Sequence, residues 1–133
     1  MDADVGAHFE AVVSLARSRL TGTRVIQNEV TANRAILEIH GKFGQLDVRI
    51  KEIRSASGNS YSYYLLYAGD VLVGFDNHPD VRVIKKKYGR RYKQFLGKSI
   101  PHRHGSRKQT FELTDEYTAS RFLEQLEELA SST

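Results

Sequence analysis

Between Val81 and Phe111 the chain has no Asp and no Glu, yet it carries eleven Lys and Arg residues there. They are Arg82, Lys85, Lys86, Lys87, Arg90, Arg91, Lys93, Lys98, Arg103, Arg107 and Lys108. The 133 residues include 20 basic and 16 acidic side chains, so elsewhere nine basic residues face all sixteen acidic ones. The net charge of +4 thus conceals about +11 in one stretch and about −7 in the remainder. Cysteine is also absent, which excludes disulfides, thiolate metal sites and thiol nucleophiles but fits either redox environment. No apolar run approaches the roughly 18 residues of a membrane helix, and no basic region followed by an apolar stretch opens the sequence. The expectation is a soluble, cytoplasmic protein with no membrane association. GxxxxGK[ST], GxGxxG after a strand and HExxH are all missing, which demotes nucleotide-hydrolysing, dinucleotide-dependent and zincin-type enzymes.

What is present is enough for one core. Hydrophobic residues make up 40% and aromatics 10%, and 133 residues suit a single domain over 1–133. Val5, Phe9, Val12, Val13, Ala16 and Leu20 recur at helical spacing, with Asp2 or Asp4 available as N-cap and Gly22 placed to stop the helix. From Thr23 to Asn77 the period changes to two. Val25 to Glu29, the Ala35, Leu37, Ile39 series and the Leu46, Val48, Ile50 series each read as a strand. So do Tyr61, Tyr63, Leu65, Tyr67 and Val71, Val73, Phe75. Short connections containing Gly or Asn, such as Gly41-Lys42-Phe43-Gly44, predict an antiparallel meander, since none is long enough for a crossover helix. Tyr88, Tyr92, Phe95 and Leu96 form a helical stripe inside the basic stretch, weakened by Gly89. Residues 97–108 read as loop, and Thr110 to Leu113 as a short last strand. Thr114 is the expected N-cap of a final helix with Ala119, Phe122, Leu123, Leu126 and Leu129 on one face. The expected architecture is α+β: a four- to five-stranded meander, terminal helices packed on it, and a basic excursion over 81–111 before the last helix.

Four features bear on chemistry. The basic stretch suits a nucleic-acid backbone, because each neutralised phosphate releases counterions. Tyr88, Tyr92 and Phe95 offer rings for base stacking, although their spacing better fits a buried stripe. In Pro101-His102-Arg103-His104, residues two apart in extended backbone point the same way, so His102 and His104 project together. Such a pair fits general acid/base work on a phosphodiester, with Arg103 or Arg107 at the developing negative charge. It fits equally a divalent transition metal shared with Asp76 or His78, although nearby cations oppose a metal. Two exposed loop histidines are the plainer alternative. Asp76-Asn77-His78-Pro79-Asp80 is first of all a turn signature, within which Asp76 or Asp80 could orient a histidine or anchor an arginine such as Arg54. Tyr61, Tyr63 and Tyr67 share one strand face and Tyr64 takes the other, which sheet packing explains unless one hydroxyl borders a site.

Together these pieces resemble the TumE-type toxins of prokaryotic toxin–antitoxin pairs. The resemblance rests on Tyr61 and Tyr63, Gly69, Phe75-Asp76-Asn77, Pro79 and Pro101-His102-Arg103-His104, within roughly residues 54 to 104. That family often has a His pair just after its Asn-x-Pro element, where this chain has Asp80 and Val81. The distance from Asn77 to His102 is also longer here, filled by the basic stretch. The resemblance carries over Asp76, Asn77, His102 and His104 and implies a small antitoxin partner. The expected function is accordingly an RNA-directed toxin, in its catalytic form a ribonuclease that needs no metal and no cofactor. His102 and His104 would be acid and base, Asp76 would orient an imidazole, and Arg103 and Arg107 would stabilise the phosphorane. Arg82, Lys85, Lys86, Lys87, Arg90, Arg91, Lys93, Lys98, Arg107 and Lys108 would hold the substrate. The alternatives are a non-catalytic RNA- or DNA-binding module and an interaction protein docking on an acidic partner.

Overall fold

Alternation of apolar and polar residues, repeated strand after strand, produces one continuous antiparallel sheet. The computed structural model describes residues 3–132; Asp2, one of the two N-cap candidates, and Thr133 lie outside the described residues. Helix α1 (Ala3–Arg19) leads into β1 (Thr21–Val30), β2 (Arg34–Phe43), β3 (Leu46–Ser55), β4 (Gly58–Tyr67) and β5 (Asp70–Asp76). Helix α2 (Val81–Tyr88) runs straight into a 3-10 helix (Gly89–Phe95). The chain then returns to the sheet as β6 (His102–His104) and β7 (Phe111–Leu113), separated by a 3-10 turn at Ser106–Lys108. Helices α3 (Ala119–Glu124) and α4 (Leu126–Ser131) close it. Strand order follows chain order from β1 to β7, every neighbouring pair antiparallel.

The α+β class and the meander agree with the sequence expectation, but the sheet has seven strands rather than four or five. The difference lies mainly in His102–His104, expected as loop. Three residues are too few to show a period, and the strand exists because it pairs with β5 and β7.

Inward residues of the strands face α1 and the C-terminal helices. Ala35, Leu37, Ile39, Val48, Ile50, Leu65, Val73 and Phe75 join Phe9, Val12, Ala16, Phe122, Leu123 and Leu126 in one buried cluster. Tyr117 stacks on Phe75 at 3.8 Å between ring centroids, and its backbone N–H donates to the Tyr61 hydroxyl. That packing delays the last helix: its N-cap is Thr118, which accepts from Arg121 N–H, and not Thr114. The helix also breaks at Gln125 into α3 and α4. Glu52 is buried among these apolar residues and is satisfied by the Tyr63 hydroxyl at 2.7 Å and His8 Nε2 at 2.8 Å.

The basic stretch is built around its own small core. Val83, Ile84 and Ile100 are buried, with Tyr88, Tyr92, Phe95 and Phe111 packed against them. The expected single stripe is divided, because α2 ends at Gly89, whose φ of 59° suits glycine and stops the helix. Tyr88 and Phe95 then stack across the break at 3.7 Å, while Leu96 is exposed. Asp80 caps α2 by accepting from Arg82 N–H, and its carboxylate also holds the Arg82 guanidinium at 3.0 Å. Among the described residues no helix is long and apolar enough to cross a membrane.

Candidate functional site

Helix α1 and the C-terminal helices occupy one face of the sheet; the Asp-His-His cluster lies on the other. Where Phe75 and Val73 point toward the helices, alternation sends Gly74 and Asp76 the opposite way. Pairing of β5 with β6 sets Asp76 opposite His102 and Gly74 opposite His104, so both imidazoles stand over the end of β5. Asp76, His102 and His104 are each no more than 3% exposed. His102 Nε2 lies 3.0 Å from Asp76 Oδ1, and His104 Nε2 lies 3.2 Å from Asp76 Oδ2. The two Nε2 atoms are 3.0 Å apart, with the rings nearly perpendicular at 88°.

A second layer fixes these groups. His102 Nδ1 donates to the Ile100 carbonyl at 2.7 Å, which fixes the ring and turns Nε2 toward Asp76. Asp76 Oδ2 accepts from the Tyr64 hydroxyl at 2.7 Å, and Oδ1 accepts from the His78 backbone N–H at 2.9 Å. Tyr64 reaches this carboxylate because its ring lies across Gly74, where any Cβ would overlap it. A glycine inside a strand marks such a close approach, and that was the available sequence signal for Gly74. Next door, the Asn77 side chain accepts from Tyr61 N–H and donates to the Asn59 carbonyl, which ties the end of β5 to β4. His104 Nδ1 is buried without a hydrogen-bond partner.

Burial alone would raise the Asp76 carboxyl, but hydrogen bonds from His102, His104 and Tyr64 outweigh it and hold the group well below the ordinary carboxylate range. Burial opposes charge on His102 as well, and the Asp76 and Ile100 hydrogen bonds more than compensate, raising its pKa. Burial and then the Asp76 bond raise the Tyr64 hydroxyl, so it stays a neutral donor.

The cluster forms the floor of a cleft of about 300 Å³, whose rim carries Arg82, Lys108, His78 and Asp80. Arg82 also donates to the Lys108 carbonyl at 3.2 Å, and the Lys108 ammonium sits 4.6 Å from the centre of the Tyr64 ring. Beyond the rim, the exposed Lys85, Lys86, Lys87, Arg90, Arg91, Lys93 and Lys98 surround the small core. Lys85 lies over Tyr92, Lys86 over Phe111, and Lys98 over Tyr88 and Phe95. Among the described residues, none of these seven forms an ion pair with a carboxylate.

His102 and His104 therefore project together beside Asp76. Arg103 does not join them: in the same strand it faces the helices, with its guanidinium 5.5 Å from the Phe75 ring centre. Arg107 is turned to Asp70 at 3.6 Å, away from the imidazoles. His78 contributes its backbone N–H to the cluster, and Asp80 anchors Arg82 rather than Arg54. The aromatic rings of the basic stretch are engaged with one another and with lysine ammonium groups. Tyr64, Gly74 and Ile100 complete the site. In comparisons with protein-family models, curated proteins and solved structures, nothing matches this chain.

Proposed function

We propose that this chain is an RNA-directed toxin of a toxin–antitoxin pair, which grips a phosphodiester backbone with its cationic segment and brings one phosphate to the cleft over Asp76, His102 and His104. The observation that carries this reading is the rim: Arg82 and Lys108 border the Asp-His-His floor, and the same chain segment holds seven further exposed cations with no ion pair among the described residues. Charge of one sign beside a cleft raises the local concentration of polyanions. Cleavage is the natural chemistry for such a cleft, with the 2′-hydroxyl of RNA as its internal nucleophile. Two Nε2 atoms only 3.0 Å apart cannot stand on opposite sides of a phosphorus, so the pair acts as one base that takes the 2′-hydroxyl proton, and water protonates the departing 5′-oxygen. A small antitoxin is the partner implied by the TumE-type resemblance.

The test is fluorescence anisotropy on labelled single-stranded RNA across a salt series. With five or six phosphates contacted, log K should fall against log salt with a slope of about −4. Lys85→Glu, Lys86→Glu and Lys87→Glu together should flatten that slope and weaken binding to every RNA sequence alike. Asp76→Asn should abolish cleavage while leaving the slope intact. Salt-insensitive binding would overturn the nucleic-acid reading; full cleavage by Asp76→Asn would overturn the catalytic part.

A further inference from the structure

We infer that Asp76, His102 and His104 form a binding site for one divalent transition-metal ion, zinc being the best fit, with a fourth coordination position open to the cleft. The three residues offer donor atoms that converge on one point at the cleft floor. His102 Nε2 lies 3.0 Å from both His104 Nε2 and Asp76 Oδ1, and His104 Nε2 lies 3.2 Å from Asp76 Oδ2; one donor from each residue falls within 4.8 Å of the other two. A tetrahedral ion with bonds of ~2.0–2.1 Å holds its donors about 3.3 Å apart, close to each of these pair distances. Perpendicular imidazoles both aim Nε2 at that point. Two imidazoles and a carboxylate form a mixed nitrogen and oxygen set suited to zinc and its neighbours and unsuited to magnesium or calcium.

Hydrogen-bond accounting favours the ion. His102 Nδ1 already donates to the Ile100 carbonyl, so the neutral ring presents a lone pair at Nε2. That lone pair faces the lone pairs of Asp76 Oδ1. Adding a proton to Nε2 satisfies the carboxylate but sets an N–H against His104, whose own Nε2–H must then serve Asp76 Oδ2. Two donors would abut at 3.0 Å between side chains that are almost fully buried. A dication accepts all three lone pairs and removes both conflicts. The outer layer has the form expected around a metal: a carbonyl behind one histidine, and a tyrosine hydroxyl and a backbone N–H behind the carboxylate. Positive charge on the rim opposes a cation, but Arg82 is already paired with Asp80 at 3.0 Å. Three protein ligands and an open fourth position toward a cleft are the arrangement of reactive rather than structural zinc sites. That position, between Arg82 and Lys108, suits a phosphate oxygen or a water molecule.

This inference stands apart from the nucleic-acid reading, and its test uses the protein alone. Purified full-length chain is stripped with chelator, then titrated with Zn2+ by calorimetry and with Co2+ by visible spectroscopy. One equivalent per chain is expected, with the visible bands of tetrahedral cobalt and a melting temperature that rises with metal. His102→Gln and Asp76→Asn should weaken binding by more than 100-fold, Tyr64→Phe by about 10-fold, and His40→Gln not at all. No uptake by the wild-type chain, or equal uptake by His102→Gln, would overturn the site. The cobalt spectrum of the wild-type chain decides the matter even where a variant fails to fold. RNA affinity of the stripped protein is measured separately, so failure there bears only on the proposed function.

Discussion

At Gly74 a single hydrogen in place of a side chain lets the Tyr64 ring cross β5 and present its hydroxyl to Asp76. Gly74→Ala should therefore lower stability by about 1–3 kcal/mol, measured by urea titration, because the new methyl and the ring compete for one volume. In a Tyr64→Ala background the same change should cost much less, a coupling readable in a double-mutant cycle. Tyr64→Phe keeps the ring and removes one donor to a buried carboxylate, for a loss of about 1.5–3 kcal/mol. The ingredients of this cluster were legible in the sequence: Asp76 from its turn, and His102 and His104 from two-residue spacing. That same alternation excludes Arg103 from their company, and Arg103 indeed lies over Phe75 on the opposite face. The meeting of Asp76 with an imidazole was expected, but the register that sets it opposite His102 was not legible, because it depends on which strand the chain rejoins after the basic stretch.

Elements differ in how they announced themselves. Strands β2 to β5 are long enough to show alternation, and all six apolar positions that the first helical spacing predicted are buried, five in α1 and Leu20 just after it. Strand β6 is set by partners on both sides, and the last helix begins at Thr118 because Tyr117 is first needed against Phe75. Neither decision is local, so neither leaves a local signal. Helix α2, by contrast, depends on one cap. Asp80→Ala should destabilise it by about 0.5–2 kcal/mol, seen as faster amide exchange over residues 81–88. The Arg82 hydrogen bond holds the Asp80 carboxyl below its ordinary value. A depressed folded pKa contributes stability above the unfolded value of about 3.9 that is lost as pH falls through the folded one. Asp80→Asn retains the cap but not the charge, so its deficit relative to wild type should be present at neutral pH and shrink at about pH 3.

Across the whole molecule, charge is divided between a cationic segment and an acidic remainder. Repulsion within the segment opposes folding, and salt screens it over a Debye length of about 10 Å at 0.1 M. Raising salt should therefore increase the melting temperature while it weakens RNA binding, two opposite responses from one set of side chains. Scanning calorimetry and anisotropy in matched buffers check both signs. Base stacking was the less favoured sequence reading of Tyr88, Tyr92 and Phe95, and the rings are in fact spent on the segment's own core. That core sits between two anchors, Asp76 and His102, which are cross-strand partners about one strand spacing apart. The intervening chain leaves and re-enters the sheet at neighbouring points. Its length and sequence are thus free to drift without moving the carboxylate from the imidazole, so descendants of this scaffold can remodel the cationic surface while inheriting the same Asp-His-His floor.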